Sequence, residues 1–248
     1  MKTGYDIFGK AFGISLRNDP HALDSIDHKF MKELMLLDED SYDELYSTRP
    51  HLPDMIKHEL YDFAQQFRGA NDLHTINNCL KFCSNIARNY DVPIEKMIFG
   101  GTEREIIERG TDWCADMARV GIVLLNCNGI PARIINLVNH ERAYNGHVVV
   151  EAFYEGKYGI CDFIYGYCFY DKKPLDAYEL KQNKKHLTGY RDDYIGLYSG
   201  IAVNYYDPTA NNCYTTSKVN QYTLNVINTD HHDKWFMGED EDATIPYK

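Results

Sequence analysis

The spacing of hydrophobic positions changes about halfway along the chain. In the first half, apolar residues recur at helical intervals, most clearly over residues 71–91. The apolar face of that segment consists of Ile76, Leu80, Cys83 and Ala87. In the second half, short runs rich in β-branched and aromatic residues predict strands over residues 132–138, 146–154 and 157–165. Helices followed by a meander of strands predict an α+β domain rather than alternating βαβ units.

The clearest helix begins near residue 111 and ends before Pro131. Its apolar stripe consists of Trp113, Met117, Val120 and Leu124. Thr111 or Asp112 is the expected N-cap, and Gly129 is placed for a left-handed C-terminal cap. Gly121 brings no benefit in helix propensity, so it predicts a close approach of this helix to a neighbouring sheet.

Cys114 falls in the first turn of this helix. The partial positive charge at a helix N-terminus stabilises a thiolate, which is the nucleophilic form of cysteine. A free cysteine is more often a small buried hydrophobic residue, and its position alone does not separate the two roles. Cys114 is therefore a candidate nucleophile whose assignment depends on a matching base elsewhere in the chain.

Residues 146–163 predict a β-hairpin that brings a histidine and an aspartate together. A two-residue turn at residues 155–156, where glycine is favoured, sets the strand register so that Val149 lies opposite Asp162. His147 shares the face of Val149 because side chains alternate along a strand. His147 and Asp162 are then diagonal neighbours, about 7–8 Å apart at the backbone, a gap that side chains can bridge. A slip of one residue would send Asp162 to the opposite face.

A cysteine, a histidine and an aspartate in this order have the residue types that acyl transfer through a thioester requires. The thiolate attacks a carbonyl carbon, the histidine takes and returns a proton, and the carboxylate orients the histidine. A single histidine at a strand start is usually structural, and an aspartate at a strand end usually forms a turn. The combination of all three favours a catalytic site.

Two segments also resemble a known family. The sequences "WCADMARVGIVLLNCNGIPARIINLV" and "GHVVVEAFYEGKYGICDF", in this order, are similar to the core of the transglutaminase-like superfamily of papain-related cysteine enzymes. The similarity extends over roughly residues 71–163. It implies that Cys114 is the nucleophile, His147 the general base and Asp162 the orienting carboxylate.

The same resemblance implies a papain/transglutaminase-like core, in which the nucleophile helix packs on an antiparallel sheet. We expect an N-terminal helical extension, this catalytic core, a Tyr-rich C-terminal extension packed on the core, and an acidic tail. Their expected bounds are residues 1–60, 61–170, 171–237 and 238–248. Both flanks are candidates for lids or for a docking surface.

The acyl acceptor decides which reaction such a site performs. Water gives a protease or amidase and an amine gives a transamidase; hydrolysis is favoured because cross-linking members of the family usually carry further β domains.

Trp113 is a candidate for substrate binding and for the second oxyanion donor beside the Cys114 backbone N–H, and also a candidate core anchor. Val149 and Phe163 stand where the family often has an aromatic residue and a proline, which bears on the substrate class. A biosynthetic acyltransferase and a non-catalytic binding module on the same fold are the alternatives.

Composition narrows the expected partners. The formal net charge is -11 and the Lys and Arg residues are scattered, which disfavours nucleic acid or an anionic membrane as the main partner. The longest apolar run, Val120–Leu125, is far too short to span a bilayer. The expected substrate is a peptide, a protein, or a small amide or ester.

The chain has seven cysteines, an odd number at irregular spacing, which favours free thiols in a reducing, cytoplasmic compartment. We expect no cofactor and no metal. Cys79 and Cys83 are separated by one helical turn but lack a second pair at ligand spacing, so they predict core packing. His231 and His232 lie in a polar stretch that is typical of a solvated turn.

Several tyrosines near the C-terminus form a further cluster along the sequence. They are Tyr190, Tyr194, Tyr198, Tyr205 and Tyr206. An array of this kind suits a glycan or peptide groove, and it also suits packing beneath a long loop, which is the favoured interpretation.

Overall fold

The computed structural model of the protein describes residues 35–37, 39–47, 51–87, 101–111, 113–138, 146–190, 192–204 and 208. Its α-helices are α1 (Glu39–Ser47), α2 (Tyr61–Gln65), α3 (Asp72–Ile86), α4 (Glu103–Arg109), α5 (Cys114–Cys127) and α6 (Ala177–Gln182). Two 3₁₀ helices cover Lys184–Leu187 and Asp192–Ser199. The strands are β1 (Met35–Leu36), β2 (Ala132–Val138), β3 (Gly146–Tyr154), β4 (Lys157–Asp162), β5 (Tyr167–Cys168) and β6 (Gly200–Asn204).

All six strands belong to one antiparallel sheet in the order β1-β6-β2-β3-β4-β5. Helices and an antiparallel sheet in one fold confirm the expected α+β class. The sheet includes β1 and β6, one from each flank of the expected core, whereas the domain bounds themselves stay predictions. Among the described helices, none has both the length and the apolar composition that crossing a bilayer requires.

The β3–β4 hairpin has the predicted turn and register. Glu155 and Gly156 both have positive φ, 52° and 82°, as a two-residue type I′ turn requires. The register pairs Tyr154 with Lys157 and continues to the pair of Val150 and Cys161. Because the turn matches the twist of the two strands, a two-residue sequence is enough to fix which side chains share a face.

The two faces of the sheet are covered by different hydrophobic clusters. Val150, Ala152 and Cys161 belong to the cluster that contains most of α5. Val149 and Ile160 belong to a second cluster on the opposite face. Alternation from these positions places His147 and Asp162 on the second face, away from the body of α5. Cys161, directly before Asp162, has its side chain fully buried on the α5 side.

Helix α5 begins one residue later than the sequence predicts. Trp113, rather than Thr111 or Asp112, is the N-cap residue, and its side chain makes no capping hydrogen bond. Thr111 instead accepts a hydrogen bond from the Trp113 backbone N–H through its Oγ1, over 3.0 Å, so it holds the segment that leads into the helix. At the other end Gly129 has a φ of 84°, which confirms the left-handed termination.

A buried ion pair attaches both flanks of the chain to the second face. Arg133 on β2 contacts Glu151 on β3 with Nε to Oε2 at 2.8 Å, and its Nη1 donates to the Leu45 carbonyl at 2.7 Å. Glu151 Oε1 accepts hydrogen bonds from the Tyr46 hydroxyl at 2.6 Å and from the Ala177 backbone N–H at 2.7 Å. Helices α1 and α6 are therefore fixed to the sheet face that carries His147 and Asp162.

Gly121 has the predicted close approach, because a Cβ at this position would lie 2.6 Å from Cδ2 of the Phe163 ring. Gly121→Ala is therefore expected to lower the free energy of unfolding by about 1–3 kcal/mol, as overpacking does. The measurement is denaturant unfolding of the variant and of Asn77→Ala, on an exposed position of α3, which reports the gain in helix propensity without a clash. A Gly121→Ala protein as stable as the Asn77→Ala control would contradict the close packing.

Candidate active site

His147 and Asp162 come together at the ends of two neighbouring strands. His147 is the second residue of β3 and Asp162 is the last residue of β4. The His147 Nε2 and the Asp162 Oδ2 are 2.6 Å apart. The two side chains are almost inaccessible, at 5% and 0% exposure, so this contact is made away from bulk water. The hairpin register produces the diagonal contact that the sequence predicts.

The Asp162 carboxylate is surrounded by hydrogen-bond donors. Its Oδ1 accepts from the backbone N–H groups of Ile164 at 2.9 Å and of Tyr165 at 3.1 Å. Its Oδ2 accepts from His147 and from the Tyr190 hydroxyl. Burial alone would raise the pKa of Asp162, but the hydrogen bond and charge of His147, with the Tyr190 and Tyr165 donors, lower it below its usual value. The carboxylate is thus held ionised and in one orientation.

The ionisation of His147 follows from its neighbours. Burial lowers its pKa, but the hydrogen bond and negative charge of Asp162 outweigh that effect, and the side chain of Cys114 raises the pKa further, to about 10. The Nε2 atom is hydrogen-bonded to Asp162, so Nδ1 is the ring nitrogen that remains for a hydrogen bond with the Cys114 thiol. A ring with this pKa carries a proton on each nitrogen at neutral pH.

Cys114 is the first residue of α5 and is half-buried. Its sulfur reaches the imidazole of His147 at the end of the sheet, whereas the rest of α5 packs on the opposite face. The first N–H groups of a helix have no acceptor within the helix. In α5 these groups lie at the end of the helix that carries the Cys114 sulfur. The structure therefore brings Cys114, His147 and Asp162 together, as their order along the chain predicts. Trp113, directly before Cys114, is half-buried, and its role in substrate binding stays a prediction.

A second buried ion-pair network lies behind the first turns of α5. Arg109 on α4 contacts Asp116 on α5, with Nη2 and Oδ2 3.1 Å apart. Arg119 of α5 contacts Glu103 of α4 at 2.6 Å and donates to the Gly101 carbonyl at 2.9 Å. These bonds fix α4 against the end of the helix that carries Cys114. No motif in the sequence predicts the roles of these residues, whose only signal is a group of charges flanking an apolar stripe.

Three tyrosines surround the His147–Asp162 pair. The Tyr194 ring stacks on the His147 ring, with centroids 4.7 Å apart and planes 5° apart. The Tyr165 ring is tilted against His147 at 5.9 Å, and the Tyr165 and Tyr194 hydroxyls are 2.8 Å apart. Tyr190 and Tyr194 thus line the site, a role that the favoured interpretation of loop packing missed. Tyr198 is buried in the second-face cluster, and Tyr205 and Tyr206 lie outside the described residues.

The other cysteines and histidines singled out in the sequence do not join this site. Cys79 and Cys83 are fully buried in the α5-side cluster, as expected. Within the part of the chain that the structure describes, no group of three or more His, Cys, Asp or Glu residues is arranged to hold a metal ion. His231 and His232 lie outside that part.

Comparison with known families agrees with the geometry. A cysteine at a helix end, beside a histidine–aspartate pair on an α+β scaffold, has the residue types of a nucleophilic triad. Residues 57–174 match the model of a family described as a transglutaminase-like domain. The match confirms the resemblance drawn from the sequence and shows that residues 57–174 are similar to this family. No curated protein and no solved structure gives a significant match.

The pKa shifts of the two partners predict how the stability of the protein depends on pH. His147 has a raised pKa, so its contribution is complete below about 6.5 and is lost as the pH rises through about 10. Asp162 has a lowered pKa, so its contribution is complete above its ordinary value and is lost as the pH falls through the lowered one. Asp162→Asn is therefore expected to lower the free energy of unfolding by about 3–5 kcal/mol near pH 6, as removal of one partner of a buried pair does. The loss should shrink towards pH 10.

Denaturant unfolding at several pH values measures this difference. Asp171→Asn is the matched control, because Asp171 is an exposed aspartate that follows β5. The control variant should differ little from the wild type at every pH. A loss in Asp162→Asn that stays constant from pH 6 to pH 10 would show that the pair is not ionised as described.

Proposed function

We propose that the protein is a cysteine-dependent acyl-transfer enzyme that hydrolyses an amide bond through a thioester on Cys114. One observation carries this proposal: a buried His147 is bound to Asp162 through Nε2 at 2.6 Å and also makes a side-chain hydrogen bond with Cys114. The transglutaminase-like family, whose members generally perform cysteine-based acyl transfer, supports the same reaction class. The expected substrates are peptides, proteins, and small amides or esters.

In the first half of the reaction, the Cys114 thiolate attacks the carbonyl carbon of the amide and forms a carbon–sulfur bond. The electron pair of the carbonyl moves to its oxygen, and a tetrahedral intermediate results. When this intermediate collapses, the carbon–nitrogen bond breaks and the imidazolium of His147 gives its proton to the leaving amine. The products are a free amine, a thioester on Cys114 and a neutral His147.

In the second half, water attacks the thioester carbon while the neutral His147 takes one of its protons. Collapse of the second tetrahedral intermediate breaks the carbon–sulfur bond and releases a carboxylic acid. The thiolate and the imidazolium are restored together. Asp162 accepts the hydrogen bond from Nε2–H throughout, so the ring keeps Nδ1 directed at the reacting atoms.

The negative oxygen of each intermediate needs hydrogen-bond donors that are already in place. The Cys114 backbone N–H is a candidate because it lies at the N-terminus of α5, where the helix leaves its first amides without internal acceptors. Trp113 stays our candidate for substrate contact or for the second donor. Both residues belong to the turn that the ion pairs between α4 and α5 fix in place.

Water is the acceptor that we propose because it requires no binding site of its own. A transamidase or biosynthetic acyltransferase that uses an amine, and a binding module without catalysis, are the alternatives that the experiments below separate. We also propose a reducing, cytoplasmic setting for the enzyme. All six cysteines of the described residues are free thiols, which supports this setting.

The first experiment tests whether Cys114 is the activated thiol. Limiting iodoacetamide at pH 7, followed by peptide mass spectrometry, should modify Cys114 fastest, because the neighbouring imidazolium stabilises its thiolate. His147→Asn should slow the modification of Cys114 by about tenfold or more, since it removes this positive charge. Cys168→Ala is the matched control, because Cys168 is also only partly buried and lies on β5.

The control substitution should leave the rate at Cys114 unchanged. Equal rates at Cys114 and Cys168, or a Cys114 rate that His147→Asn does not alter, would refute the assignment of the nucleophile and its base.

The second experiment identifies the acyl acceptor. A panel of amide, ester and peptide electrophiles is first used to find acyl groups that Cys114 accepts, and the matching amides are then incubated in ¹⁸O-labelled water with and without a primary amine. Hydrolysis predicts one ¹⁸O atom in the carboxylic acid product, and added amine should not divert the acyl group. Cys114→Ala should form neither product. An amide product that replaces the acid would overturn hydrolysis in favour of amine transfer.

A further inference from the structure

Two side chains at the proposed site come from beyond the transglutaminase-like match, which ends at residue 174. Tyr190 follows the 3₁₀ helix Lys184–Leu187, and Tyr194 lies in the 3₁₀ helix Asp192–Ser199. Both contact the His147–Asp162 pair directly. A segment outside the matched domain therefore contributes to the environment of the two groups on which the proposed chemistry depends.

Tyr190 acts on the carboxylate. Its hydroxyl donates to Asp162 Oδ2, the same oxygen that binds His147 Nε2. With the two backbone donors on Oδ1, this bond leaves Asp162 little freedom to rotate away from the imidazole. The Tyr190 ring itself is packed edge-on against Phe169, at 4.9 Å between centroids, so the hydroxyl is held by a ring whose place is fixed.

Tyr194 acts on the imidazole. Its ring is nearly parallel to that of His147, which keeps water from one face of the ring. The Tyr194 hydroxyl is within hydrogen-bond distance of the Tyr165 hydroxyl, and the Tyr165 backbone N–H is itself one of the donors to Asp162. Tyr165, in the turn after β4, thus connects the stacked Tyr194 ring with the hydrogen-bond donors around the Asp162 carboxylate.

The segment that carries these tyrosines is firmly anchored to the sheet. Leu197 and Tyr198, in the same 3₁₀ helix as Tyr194, are buried in the second-face cluster. The following strand β6 pairs with β2 over five residues, from Val138↔Gly200 to Ile134↔Asn204. A segment held in this way can position a catalytic pair, because its own side chains do not have to be ordered when substrate binds.

We propose that Tyr190 and Tyr194 are positioning residues, which hold Asp162 and His147 in the orientation that directs Nδ1 at Cys114. The proposal rests on the proposed function for its chemical meaning. It assigns a catalytic purpose to the Tyr-rich C-terminal segment, where packing alone would require only the buried rings. Tyr190 fixes the orientation of the Asp162 carboxylate. Tyr194 fixes the imidazole ring of His147 and keeps water from one of its faces.

The test compares Tyr190→Phe, Tyr194→Leu and Tyr194→Phe with Tyr198→Phe as the matched control. The Tyr198 hydroxyl is buried without a hydrogen-bond partner among the described residues, so its removal from the same segment should change nothing at the site. The rate of Cys114 modification by iodoacetamide is measured from pH 4 to pH 10 by peptide mass spectrometry. Thermal unfolding of each variant confirms that it is folded.

Tyr190→Phe removes one donor from the ionised carboxylate, so the acid limb of the profile should move to higher pH by about one unit. Tyr194→Leu removes the stacked ring and should slow modification at pH 7 by about tenfold, whereas Tyr194→Phe keeps the ring and should restore most of the rate. A purely structural role would lower thermal stability without moving the pH profile. Profiles of Tyr190→Phe and Tyr194→Leu that superimpose on those of the wild type and the control would overturn the proposal.

Failure of the proposed function gives a different result. In that case the wild-type protein itself shows no preferential modification of Cys114, and His147→Asn changes nothing. The tyrosines are then judged by the NMR titration of His147, which does not require a reactive sulfur. A His147 pKa that neither Tyr190→Phe nor Tyr194→Leu shifts from the wild-type value would overturn the positioning role independently.

Discussion

The buried hydrogen bond between His147 and Asp162 is the interaction on which the rest of the site depends. Removing a carboxylate and an imidazolium from water is costly, and their mutual attraction offsets this cost only if the remaining lone pairs and protons are also satisfied. The site meets this condition with four donors on Asp162: His147, the Tyr190 hydroxyl and the N–H groups of Ile164 and Tyr165. A fully bonded carboxylate gives the imidazole a single orientation, and that orientation directs its free nitrogen at Cys114.

The fold supplies this geometry from separate, rigid parts. The type I′ turn at residues 155–156 sets the register that makes the histidine and aspartate diagonal neighbours. The ion pairs between α4 and α5 fix the helix end that carries Cys114. The Arg133–Glu151 pair attaches α1 and α6 to the same face of the sheet as the His147–Asp162 pair. The two ion-pair networks give their charges several partners, so the site is held from more than one side.

Local sequence predicted those features that depend on nearby residues. The hairpin register follows from a two-residue turn, and the termination of α5 follows from Gly129 and Pro131, because both are decided within a few residues of chain. The predicted N-cap of α5 was wrong because the Thr111 hydroxyl accepts a hydrogen bond from the Trp113 backbone N–H, and the helix then starts at Cys114. Met35–Leu36 lie in the expected N-terminal helical extension yet form a strand, since pairing with β6 outweighs local propensity. Tyr190 and Tyr194 are separated from His147 by more than forty residues, and no periodic pattern relates a tyrosine to a carboxylate across such a distance.

The most direct test of the account is the NMR titration of the His147 ring in the wild-type protein and in Cys114→Ala. We expect a His147 pKa of about 10 in the wild type, with the ring protonated on both nitrogens at neutral pH, and a lower pKa once the sulfur is removed. It predicts that the ring keeps its bond to Asp162 in both proteins. A His147 that titrates near 6.5 in both proteins, regardless of Cys114, would contradict the central claim that Asp162 and Cys114 together hold the His147 ring in its charged form.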